Sequence, residues 1–112
     1  MARRTPRVLR LLTQRVTVEV VDGLHGEVED DPEHSHALYG AFQPRDLLIL
    51  LDRNQVPDRM RETLAHEILH ALLNAAHLEF DDDERVVTGL SPVLLSFLRE
   101  NPGAIAYLQE KT

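Results

Sequence analysis

Polar and apolar residues alternate early in the chain and then change period. Val16, Val18 and Val20 fall on one side of an extended segment, Thr17 and Glu19 on the other, so residues 16–21 predict a strand with one face on a core. Residues 22–36 are polar and acidic, with Asp22-Gly23, Gly26 and Asp30-Asp31-Pro32, and read as a long loop or a poorly paired hairpin. Residues 37–42 predict a second strand, with Gly40 placed where a bulge would sit. Gln43-Pro44-Arg45-Asp46 is turn chemistry. The apolar run 47–51, bounded by Asp46 and Asp52, predicts a short strand covered on both faces and paired with the second as a hairpin.

From residue 57 the period becomes helical. Pro57 and Asp58 suit a first turn, where a missing N–H is harmless and a carboxylate meets the positive end of the dipole. Met60 to Ala76 holds no Gly or Pro, and Met60, Leu64, Ile68, Leu72 and Ala75 form an apolar stripe. Asp81-Asp82-Asp83 then reads as the cap of a second helix. At Ser91-Pro92 either a fresh helix starts, with Ser91 as its cap, or Pro92 kinks a continuous one. Val93, Leu94, Leu95, Phe97 and Leu98 are core-like, and Asn101-Pro102-Gly103 opens a last short helix through Tyr107 and Leu108. The pattern predicts an α+β fold: a small, mainly antiparallel sheet of about three strands packed on a helix, then a helical C-terminal part.

Length and composition narrow this picture. A chain of 112 residues supports one modest core. It has no cysteine, hence neither disulfides nor thiolate metal sites. No run approaches the roughly 20 apolar residues that span a bilayer, and Arg10 interrupts what would be a signal-peptide core; the expected location is cytoplasmic. Residues 1–15 carry five arginines and no acid, and read as a basic arm ahead of a domain at 16–112. The other 97 residues carry a net −12, which would repel phosphates, so the arm reads as a solvated tail and nucleic acid is not an expected partner.

The chemistry sits on the first helix, in His66-Glu67-Ile68-Leu69-His70. Residues four apart share a helical face, so both imidazoles can reach one ion, each nitrogen about 2.0–2.1 Å from zinc. Glu67 is rotated about 100° from His66, placed to reach a water on that ion rather than the ion itself, which is where a general base belongs. His34 and His36 share a side in an extended chain, but solvated loop histidines explain them better because no third ligand is evident.

The order strand, hairpin, H-E-x-x-H helix, acidic loop and helical tail, over residues 37–100, resembles a minimal zincin. It is similar to the small gluzincin-type metallopeptidases (minigluzincins) and to short peptidases of the ImmA/IrrE type. The resemblance implies zinc held by His66 and His70, Glu67 as the base, and an edge strand that receives an extended peptide or protein substrate. It also implies a third ligand on the next helix, a placement that Glu84 matches. His77 competes on angle, eleven residues from His66. Rise weighs against it: in a continuous helix, seven residues beyond His70 is about 10 Å along the axis. Glu79 and the aspartates 81–83 stay as alternatives. Tyr39, His77 and Tyr107 are candidates for stabilising an oxyanion. The expected function is zinc-dependent peptide hydrolysis; the alternative is a non-catalytic interaction protein that keeps a zincin-like fold and its metal.

Overall fold

The computed structural model describes residues 3–24 and 39–111. His34, His36, most of the expected loop and the start of the strand expected from Ala37 lie outside the described residues. Among the described residues four strands form one sheet: β1 (Val8–Leu11), β2 (Gln14–Val21), β3 (Gly40–Gln43) and β4 (Leu48–Asp52), in the order β1-β2-β4-β3. The helices α1 (Pro57–Ala75), α2 (Asp83–Glu100) and α3 (Pro102–Gln109) follow. The fold is α+β with a C-terminal helical part. No helix among the described residues is long and apolar enough to cross a membrane.

The sheet is larger and more mixed than the alternation predicts. β1 pairs antiparallel with β2, and β3 with β4, but β2 and β4 run parallel. The expected hairpin of β3 and β4 is present, and its second strand inserts between β3 and β2. Hydrophobicity accounts for the choice, because a central strand gains most from an apolar run. One face of the sheet carries the core. Val16, Val18, Ile49 and Leu51 are buried there, with Leu9, Leu11, Val20 and Phe42 packed around them. Each such side chain, fully buried, contributes about 1.5–3 kcal/mol. Leu48 and Leu50 on the opposite face are half-buried, so β4 is not covered on both sides by the described residues.

Part of the basic arm expected at 1–15 belongs to this sheet. Leu9 and Leu11 alternate with outward Arg10 and pack on the core, and Val18 N–H donates to the Arg7 carbonyl at 2.8 Å. The two residues between β1 and β2 turn tightly, and Leu12 takes a left-handed conformation, φ 56°. Arginine at outward positions hid a strand behind a charge pattern.

α1 covers the sheet with Met60, Leu64, Ile68 and Ala71. The expected stripe put Leu72 on that face, yet Leu72 is exposed. Steps of four overshoot a 3.6-residue turn by about 40° each, so after three of them, from Met60 to Leu72, the buried position has moved back to Ala71. α2 begins as the aspartates suggest: Asp82 is the cap and its carboxylate accepts from Arg85 N–H at 3.1 Å. The helix then continues through exposed Pro92 to Glu100, which decides between the two readings of Ser91-Pro92. Only the bond to the Thr88 carbonyl is lost there.

Candidate metal centre

The site is built where α1 crosses the edge strand and α2 returns over it. His66 and His70 lie one turn apart with ring centroids 5.1 Å apart, both partly buried. Glu67 points toward β3 and is only 6% exposed. Donor atoms of His66, Glu67 and His70 all lie within 4.8 Å of one another, so this group can hold a metal ion.

Glu84 closes the arrangement from the first turn of α2. Its Oε1 lies 2.8 Å from His66 Nε2 and its Oε2 3.0 Å from His70 Nε2. Both are hydrogen-bond distances, with the imidazole as donor wherever its tautomer carries the proton on Nε2. Thr88, one turn on, donates its hydroxyl to Glu84 Oε1 at 3.3 Å. The chain reversal that brings Glu84 back begins at the end of α1. His77 adopts φ 56°, His77 N–H donates to the Asn74 carbonyl at 3.1 Å and Leu78 N–H to Leu73 at 3.0 Å. These are the paired bonds of a Schellman stop. His77 is therefore the residue that ends the helix. It lies outside the donor cluster, though it lines a cavity beside it. Asp83 serves the same reversal by accepting from Phe80 N–H at 2.7 Å.

Glu67 has an unusual environment. Burial, then the negative charge of Glu84, pushes its carboxyl up from 4.5 to about 7. Desolvation disfavours the anion, and a neighbouring carboxylate adds to that. The strand beside it comes unusually close. A Cβ on Gly40 would stand 2.7 Å from Thr63 Cγ2 and 3.2 Å from Glu67 Oε2. Gly40 is thus a contact glycine and not the expected bulge, because the β3–β4 register runs through it unbroken.

Gln55 fixes this approach. Its Nε2 donates to the Tyr39 carbonyl at 2.9 Å and the Asp52 carbonyl at 2.7 Å, and its Oε1 accepts from Thr63 Oγ1 at 2.6 Å. One side chain ties the start of β3, the end of β4 and the face of α1 one turn before Glu67. Nothing in the sequence marks Gln55. Thr88 was findable, as a hydroxyl four residues after Glu84.

Two cavities flank Glu67 and share Gly40, His66, Glu67 and Glu84. One, about 510 Å³, is walled by Tyr39, Arg59, Ser91 and Leu95. The other, about 760 Å³, is walled by Phe42, Leu73, His77 and Glu79. Tyr39 lies under the Arg59 guanidinium, 5.2 Å from the ring centre. Tyr107 is exposed on α3 and lines neither cavity. In comparisons with known proteins, no family model, no curated protein and no solved structure matches the chain.

Proposed function

We propose that this protein is a zinc-dependent peptidase in which His66, His70 and Glu84 hold the metal and Glu67 is the general base. The observation that carries the reading is the Glu84 carboxylate within 3.0 Å of both Nε2 atoms, with buried Glu67 alongside. Two imidazoles and one carboxylate converging on one point match a zinc site that keeps a coordination position open. Zinc suits this donor set better than calcium or magnesium, which favour oxygen shells. Bound there, the ion supplies the Lewis acidity that activates water near neutral pH and polarises a peptide carbonyl.

The chain's own groups do the rest. Glu67 accepts the proton of the attacking water and returns it to the leaving amine, a task suited to a buried carboxyl beside the two histidines. Thr88 steadies Glu84 Oε1, the oxygen that faces His66. The edge of β3 away from β4, which no described strand pairs, orients the substrate. Because Tyr39 turns its carbonyl to Asp52 N–H at 2.8 Å, alternation turns the N–H and C=O of Gly40 and Phe42 away from β4. An extended peptide can pair with those groups and lie next to Glu67 without the obstruction of a side chain at Gly40.

The test compares three proteins in elemental analysis and in cleavage of an unfolded protein substrate. Wild type should carry one zinc per chain and cleave. Glu67→Gln should keep zinc and lose cleavage, and His66→Ala should lose both. Absence of zinc after incubation at neutral pH sinks the site. Zinc without cleavage leaves the interaction-protein reading.

A further inference from the structure

We propose that the outward face of α2, together with α3, is the interface of a homodimer. Helix α2 is apolar around more of its circumference than α1 covers. Glu84, Thr88, Ser91 and Leu95 line the site, and Val87 is buried beneath them. At 100° per residue, Val86, Leu90, Val93 and Phe97 fall on a different arc. That arc is open: Leu90, Val93 and Phe97 are 41–63% exposed. α3, which follows α2 after Asn101, is exposed as well. It has no buried residue, and Tyr107 and Leu108 are at least 70% exposed. Eight residues are too few to hold a helix on propensity alone.

The area is that of an interface. At 41–74% exposure these five together present roughly 500 Å². That is large for a patch on an ordinary monomer. Two such surfaces bury roughly 1,000 Å², about what a specific interface needs.

The spacing selects the occupant. Val86 and Phe97, and likewise Leu90 and Val93, are symmetric about the Ser91–Pro92 bond. In an antiparallel pair of α2 helices with a two-fold axis at that bond, Val86 of one copy meets Phe97 of the other and Leu90 meets Val93. A patch that complements itself under a two-fold is what an isologous dimer requires. The same axis carries each α3 toward the segment before the other copy's α2, where Leu78 and Phe80 are about half exposed. A parallel pairing would set Asp81-Asp82-Asp83 of both copies side by side, at a cost in repulsion. The first cavity, on the opposite side of α2, stays open in such a dimer, while Leu78 at the wall of the second lies at the edge of the interface.

Sedimentation of the full chain across the micromolar range should show a dimer, and Leu90→Asp and Phe97→Asp should each raise the dissociation constant at least about tenfold with helicity and zinc binding unchanged. The chain has no cysteine, so Leu90→Cys and Val93→Cys are clean probes of register that keep the face intact even if the charged variants fail to fold. An oxidised mixture of the two should favour the 90–93 disulfide over either like pair. A wild type that stays monomeric overturns the proposal, as does a dimer untouched by either aspartate or a predominance of like-pair disulfides.

Discussion

Glu67 is held where its ionisation opposes folding, and that makes it a reporter of the site before any metal is added. Its folded carboxyl titrates near 7, its ordinary value being 4.5. Between those values the folded metal-free protein holds more protons than the unfolded chain, so stability falls as pH rises. Above pH 7 the charged carboxylate costs about 3 kcal/mol. Glu67→Gln removes the titrating group at nearly constant shape. Denaturant titrations of the metal-free proteins should therefore show the variant gaining on wild type from about pH 4.5 upward, with the difference levelling off above pH 7. A flat difference across that range would mean that Glu67 is solvated. A second residue-scale prediction separates the two contenders for the third ligand. Glu84→Gln should weaken zinc binding by at least about 100-fold in a competition titration, because it replaces a charged donor with a neutral amide. His77→Ala should change zinc affinity little, since its place is the helix stop. The reverse ranking would hand the third position to His77.

Among the elements, the critical distance lies between α1 and the edge strand. Gly40→Ala places a methyl group 2.7 Å from Thr63 Cγ2, in a contact that Gln55 holds from both sides. Overpacking of this kind costs about 1–3 kcal/mol. The expected result is a lower denaturation midpoint, with peptide hydrolysis falling more than zinc affinity because β3 moves and the helix ligands do not. Equal loss of both would place the damage in α1. The start of α2 is the other sensitive joint. Asp82→Ala removes the cap on Arg85 N–H and should cost about 1 kcal/mol. Glu84 stands two residues further on, so fraying there should also weaken zinc binding. Asp82→Asn, which keeps a capping oxygen, should restore both.

On the scale of the whole molecule, zinc would add a link between α1 and α2 across the chain reversal, where the two helices pack together and two imidazoles contact one carboxylate. Binding to the folded state alone adds about 2.7 kcal/mol at a free zinc concentration about 100 times Kd. For a domain of this size that raises Tm by roughly 10 °C or more, and a chelator should reverse it. Calorimetry with and without zinc measures the shift directly. Glu67→Gln should show the shift in full and Glu84→Gln only a remnant.

The histidine pair, its glutamate and the helix beneath them were legible in the sequence, because i to i+4 spacing is a property of a single helix and needs no partner. Strands marked by alternation or by an apolar run were legible for the same reason, and so was the aspartate cap of α2. The remainder depended on where distant segments meet. Periodicity placed β4 as a strand but could not say that it would insert beside β2 and run parallel to it. Charge made residues 1–15 look like a tail, although Leu9 and Leu11 needed only a neighbouring strand to become core. Gly40 was visible as an exception in a strand, but its reason is the proximity of Thr63 and Glu67, both over twenty residues away. The approach of Glu84 to His66 and His70 turned on a single backbone conformation. His77 adopts a left-handed φ, the helix stops, and the chain returns with Glu84 over both imidazoles. Local spacing determines which residues can share a face; only packing decides which faces are brought within 3 Å of each other.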